Sequence, residues 1–148
     1  MRWLLDTNVV SERRKPNCHE AVRSWVEGQS AESFFLSTVT LAEIRFGIEQ
    51  RRDAAFRSEL TRWLDGVLRP SFGARVLEVD EDAILEWRRM IARGKAVRHP
   101  FSRPDLFIAA VAAVHGLCVV TRNVGDFRLA GVPVLNPWTG ESIPTAGP

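Results

Sequence analysis

Four acids in this sequence stand where a folded chain would turn. Asp6 closes the apolar run Trp3-Leu4-Leu5, Glu43 and Asp105 follow helix-start signals, and Asp126 comes after the run Leu117 to Thr121. Gathered at one point, their carboxylates would suit a hard divalent cation, which takes oxygen ligands and commonly keeps waters and substrate phosphate around it. Such an ion can lower the pKa of a bound water and stabilise the charge that develops during phosphodiester hydrolysis. With no cation, carboxylates held together repel one another and their pKa values rise. Each acid also has a plainer use. Thr40-x-x-Glu43 and Ser102-x-x-Asp105 have the spacing of capping boxes, and acids favour helix starts through the helix dipole. Asp6 could end a strand in a turn, and Asp126 could be a loop acid. Spacing along the chain does not decide whether the four meet.

The elements that would carry them alternate between strand and helix. Strands are expected at residues 3–5, 34–36, 75–79, 117–121 and, more weakly, 132–135. Helices are expected from Asn17 to Gly28, from Thr40 with Leu41, Ile44 and Ile48 on one stripe, and through Phe56 to Val67. Another starts at Asp80 with Ile84, Trp87 and Ile91 inward, and a last one spans Pro104 to His115, closed by Gly116. A polar loop, residues 94–103, precedes that last helix. The alternation predicts a three-layer α/β/α fold with a mainly parallel central sheet. Ligands of such sheets bind in the crevice outside the carboxyl ends of the strands. Asp6, Glu43, Asp105 and Asp126 are therefore expected on one rim, Asp126 in a loop and Glu43 and Asp105 in first helical turns. No repeat or linker divides the 148 residues. Residues 1–138 read as a single domain and 139–148, rich in Gly, Pro, Ser and Thr, as a flexible tail.

At 45% hydrophobic and 26% charged, the composition supports a core without disulfides. Cys18 and Cys118 are too few for a disulfide framework, and Cys118, inside Leu117–Val120, reads as a buried reduced thiol. A cytoplasmic location follows. The apolar start is too short for a signal peptide, and the longest apolar run, Leu106 to Val114, is too short to cross a bilayer. The net charge of +2 says little about nucleic acid. Its distribution says more: Arg13-Arg14-Lys15, Arg51-Arg52 and the stretch Arg93, Lys95, Arg98, Arg103 are basic clusters, of a kind that is usually solvated surface.

Leu4-Leu5-Asp6-Thr7-Asn8-Val9-Val10-Ser11-Glu12 resembles the opening of PIN-domain proteins, an apolar strand ending in Asp-Thr-Asn. Residues 37–47, STVTLAEIRFG, are similar to that family's second block. Pro104-Asp105-Leu106-Phe107-Ile108-Ala109-Ala110 matches the third, and residues 120–127, VTRNVGDF, the fourth. Four blocks in the right order span nearly the whole chain. The resemblance extends to the toxins of VapBC-type toxin–antitoxin pairs, and Val134-Leu135-Asn136-Pro137-Trp138 looks like the ending of the FitB branch. It implies a Mg²⁺- or Mn²⁺-dependent endoribonuclease acting on RNA, homodimeric and held inactive by a cognate antitoxin. By position, Asp6, Glu43 and Asp105 match the principal acids. Relatives carry the fourth at the place of either Asn123 or Asp126; Asp126 is taken as the acid and Asn123 as a neutral ligand or water-holding neighbour. Thr7, Asn8 and Thr121 would orient carboxylates or waters. Arg103 stands near Asp105 where relatives often have small residues, and could contact phosphate or pair with an acid. Gly47, one turn after Glu43, could leave that acid approachable or serve close helix packing.

Two rivals are weaker. A haloacid-dehalogenase-like phosphatase also opens on a strand ending in aspartate, but needs a second Asp where this chain has Asn8. A binding module, either receiver-like or a PIN fold that does not cut, would show paired acids near Asp6 or the loss of one of the four. Neither is seen. If the chain holds RNA, Arg93, Lys95 and Arg98, with Arg103, are expected to contact phosphates and make binding weaken steeply with salt.

Overall fold

Successive side chains of a strand face opposite ways, so a strand of consecutive apolar residues needs cover on both sides. The first strand, β1 (Trp3–Leu5), has that cover. In the computed structural model Leu4 packs with Val119 and Val134 on one side of the sheet, and Leu5 with Leu36 and Val120 on the other. The structure describes residues 1–96 and 103–144. Beside β1 lie β2 (Phe34–Ser37), β3 (Val76–Leu77), β4 (Cys118–Val120), β5 (Val134–Leu135) and β6 (Ser142–Ile143), in the order β3-β2-β1-β4-β5-β6. All neighbours are parallel except β6, which runs antiparallel to β5.

One helical layer consists of α1 (Thr7–Arg14), α2 (Glu20–Glu27), α3 (Thr38–Glu49) and α4 (Ala54–Trp63). Val9, Val10, Leu41, Ile44 and Leu60 are its buried contribution. A wide π turn, Leu64–Leu68, leads into the short α5 (Arg69–Phe72). The opposite layer consists of α6 (Glu81–Ala96), α7 (Arg103–His115) and α8 (Val124–Leu129), which bury Ala83, Met90, Ile108, Val111 and Phe127. The expected three-layer architecture with a mainly parallel sheet is therefore present. From β1 the chain builds outward through β2 to β3, then returns through β4 on β1's other side. The direction of winding reverses between β1 and β4, where such sheets leave a crevice at their carboxyl ends.

Several boundaries differ from the sequence-based expectations, each for a local reason. α1 was not anticipated; it starts at once after β1 because Asp6 caps it, its Oδ1 accepting from the Thr7 amide at 2.7 Å. α2 begins at Glu20 rather than Asn17, with His19 Nδ1 accepting from the Ala21 amide. α3 begins at Thr38, because buried Ser37 at the end of β2 takes the cap and accepts from the Thr40 amide at 3.2 Å. The Thr40–Glu43 capping box is therefore not formed. On α6 Trp87 and Ile91 pack inward as expected beside the buried Ala83 and Met90, while Ile84 is 46% exposed. This helix runs on to Ala96, so Gly94 and Lys95, expected in the polar loop, are helical. Asp126 likewise lies within α8. Ser142–Ile143, expected in a flexible tail, forms β6 and covers the edge that β5 would otherwise leave open. Ser102 lies outside the described residues. Both cysteines are free and buried, and desolvation pushes the Cys118 thiol up to about 11. Among the described residues no helix is long and apolar enough to cross a membrane.

Candidate active site

The register Leu5↔Val120 sets Asp6 and Thr121 side by side where β1 and β4 end. Asp6 is only 4% exposed, which for a carboxylate demands hydrogen bonds. Its Oδ1 accepts from the Thr7 amide; its Oδ2 accepts from the Thr121 hydroxyl at 2.7 Å and from Asn8 Nδ2 at 3.3 Å. Thr121 Oγ1 in turn accepts from Asn8 Nδ2 at 3.1 Å and from the Asn123 amide at 3.0 Å. Asn8 Oδ1 accepts from the Arg122 amide at 3.2 Å. Asn8 therefore spends its side chain on bracing Asp6 and the turn after β4, which leaves no place for the acid of a dehalogenase-like phosphatase.

Asp105, half-buried in the first turn of α7, is brought to the same network by Asn123, whose Nδ2 donates to Asp105 Oδ2 at 2.6 Å. Asn123 occupies the N-cap of α8, a position its side chain could cap, yet it makes no capping bond there. Its amide is committed to the acid instead. Glu43 is exposed on the second turn of α3. Its charge still reaches Asp6. Burial raises the Asp6 carboxyl from 3.8 to about 6; the Thr121 hydrogen bond opposes that rise, while the charges of Asp105 and Glu43 add to it. Asp6 therefore feels the charge of both Asp105 and Glu43. Asp126 is half-buried in the first turn of α8, one turn beyond Asn123. The Thr7 hydroxyl meets that of Thr40 at 3.5 Å.

The remaining expected residues fall differently. Arg93 is bonded to Glu86 at 3.0 Å on its own helix. Arg98 and the side chains of Lys95 and Arg103 lie outside the described residues. A Cβ on Gly47 would meet nothing within 4 Å, so close helix packing is not the reason for a glycine there. Sequence reasoning missed Arg122, whose guanidinium lies 4.2 Å from the Trp138 ring centroid beside the site. Its only signal was its place between Thr121 and Asn123.

Thr121 is the hub of this network, and its loss has a definite expected cost. Thr121→Val removes an acceptor from two donors and a donor from a buried carboxylate, which should lower stability by about 2–3 kcal/mol in denaturant unfolding. The Asp6 carboxyl should rise further, moving the pH profile of activity upward. Thr121→Ser, which keeps the hydroxyl, should restore most of both. A valine variant as stable as the wild type would show the network to be incidental.

The sequence profile of the PIN domain matches residues 3–131. The chain belongs to the PIN-domain family. Over 135 residues it is 36% identical to the VapC ribonuclease Y4jK of Sinorhizobium fredii, covering 91% of this chain and 96% of that protein. It is 35% identical to the toxin FitB of Neisseria gonorrhoeae over 135 residues, covering 91% and 97%. The fold superposes on a chain in the crystal structure of FitAcB from Neisseria gonorrhoeae with a TM-score of 0.87 at 34% identity, covering 92% of this chain and 98% of that chain.

Proposed function

We propose that this PIN domain is a divalent-metal-dependent endoribonuclease, the toxin of a type II toxin–antitoxin pair. One observation carries the reading. A carboxylate almost without solvent is braced by Thr7, Asn8 and Thr121, and its pKa is raised to about 6 by burial and by the charges of Asp105 and Glu43. Its hydrogen bonds include the cap of α1, yet the charges that act on it are those of two further acids and not of a cation. The donor set is all oxygen, as Mg²⁺ or Mn²⁺ prefers. Among the described residues no three acidic, His or Cys side chains are grouped to hold one ion. That fits an ion that takes one or two carboxylates and completes its shell with water and phosphate. Asp6 and Asp105 would hold it, with Glu43 and Asp126 adding charge. The chemistry such an ion would supply there is Lewis-acid activation of a water and stabilisation of the negative charge that develops on the phosphate.

The chain's own residues do the rest. Thr121 and Asn8 fix the Asp6 carboxylate, and Asn123 fixes Asp105, so neither must be ordered when RNA arrives. Asp126 is the fourth acid in this reading. RNA cleavage should require added Mg²⁺ or Mn²⁺, stop with excess EDTA, and return when the ion is restored; full cleavage by thoroughly chelated protein would overturn the mechanism. A protein antitoxin is the inhibitory partner, and an Arg from it is suited to the crevice because a bidentate Arg–carboxylate pair can replace a cation. For the homodimer, Ile84, Leu85 and Val114 offer exposed apolar surface on α6 and α7. With both thiols reduced, the protein acts in the cytoplasm.

A further inference from the structure

Two basic clusters that are far apart in the sequence meet in the fold. A cleft of about 250 Å³ starts at Thr7 and Glu43, on the flank of the carboxylate crevice, and passes Gly47 to reach Arg14, Lys15 and Arg51. Arg14 comes from the end of α1, and Arg51 from just beyond α3. Aromatic rings of α4 hold both guanidinium groups. Arg14 lies 5.7 Å from the Phe56 centroid and 6.0 Å from that of Trp63, and Arg51 lies 5.3 Å from Phe56. A guanidinium stacked on a ring keeps its N–H edge available for an anion. Lys15 is 3.4 Å from Glu12 and so partly neutralised, whereas among the described residues neither Arg14 nor Arg51 pairs with a carboxylate.

A crevice of acids repels a polyanion. A phosphodiester chain can cross it only where nearby cations attract the flanking phosphates. We infer that Arg14 and Arg51 form a subsite for a backbone phosphate next to the scissile one in single-stranded RNA, an assignment that rests on the ribonuclease reading. The cleft suits one phosphate–sugar unit and is too small for a duplex. The lack of a side chain at Gly47 keeps the path open between Glu43 and the arginines. A phosphate contact carries no base preference, so the subsite sets affinity and the direction of the strand, not the cleavage sequence.

The test is a salt series of equilibrium binding to a short fluorescein-labelled single-stranded RNA of mixed sequence, in EDTA so that nothing is cut. Each phosphate contact on a single strand contributes about 0.7 to the slope of log Kd against log salt. Replacing both arginines, Arg14→Ala with Arg51→Ala, removes that one phosphate contact and should therefore reduce the slope by about 0.7 and raise Kd about tenfold at low salt. Arg51→Ala alone, at an exposed position, should give about half the change in slope. The double lysine variant, Arg14→Lys with Arg51→Lys, should retain most of the slope. In steady-state cleavage with Mg²⁺ the loss should fall on KM more than on kcat. An unchanged slope and Kd in a folded double-alanine variant, with wild type that cuts RNA, would overturn the subsite alone. The same result with loss of binding to a co-expressed antitoxin would assign the cleft to a protein partner instead. Wild type that neither binds nor cuts RNA would remove the ribonuclease reading beneath it.

Discussion

Asp6→Asn should reduce RNA cleavage by at least about a thousandfold, since preorganised charge is usually the largest catalytic term. It should also remove a pH-dependent component from the stability of the metal-free protein. The folded Asp6 carboxyl titrates at about 6 and the ordinary value is 3.8, so the folded state holds this proton more tightly than the unfolded chain does. With the folded pKa raised, the charged form is penalised. The metal-free wild type is relatively destabilised above pH 6 and regains stability as the pH falls from about 6 to about 4. The span is about 3 kcal/mol from the size of the shift. Other carboxylates titrate in the same range, so the informative quantity is wild type minus variant, measured by denaturant unfolding in EDTA. That difference should change by about 3 kcal/mol across the window, with the wild type relatively weaker at the high end. Absolute stability is less telling. Asn keeps an acceptor for the Thr7 amide but turns its own amide toward Asn8 Nδ2, another donor. Added Mg²⁺ should stabilise the wild type and not the variant. An active Asp6→Asn protein, or a difference that does not vary with pH, would sink the assignment of Asp6.

Glu43→Gln should separate charge from shape on α3. Because Ser37 caps that helix, Glu43 lies in its second turn and no backbone amide depends on its oxygen. Gln has nearly the same size and helix propensity, and the side chain is exposed, so stability should stay within about 0.5 kcal/mol of wild type. Cleavage should nevertheless drop by about a hundredfold or more, because Gln cannot supply the negative charge that helps hold the ion. One charge that raises the Asp6 carboxyl is also removed, so the acid limb of the activity profile should move to lower pH. A Glu43→Gln protein that melts lower and cuts normally would mean that Glu43 supports the helix and that the centre uses another acid.

The acids themselves were legible because each stands at the end of an apolar strand or in an early helical turn, and both features are local. The roles of their neighbours were less so. Thr40 and Glu43 have the spacing of a capping box, yet the cap went to Ser37, which pairing of β2 with β1 and β3 places at the helix entrance. Gly94 and Lys95 sat in a stretch read as a loop; the helix continued through them, and Glu86, two turns back from Arg93, took that arginine's charge. Arg14 and Arg51 were read as solvated surface, and nothing near either in sequence indicates a shared cleft.

By itself, the sequence determined the layer structure and the chemistry on offer. Leu4 and Leu5 must be covered on opposite faces, the stripe of Leu41, Ile44 and Ile48 must face a sheet, and Asp6 must follow β1 directly. These follow from burial of apolar side chains at the periods of strand and helix, which neighbouring residues encode. Only the tertiary structure decided that β4 lies beside β1, and hence that winding reverses next to Asp6. That same pairing delivers Thr121 to its carboxylate, Asn123 to Asp105, and α1 and α3 to the cleft between Arg14 and Arg51. Strand order and helix docking depend on contacts between residues distant in the chain, whose free energies sum over the whole core, and no local pattern contains that sum.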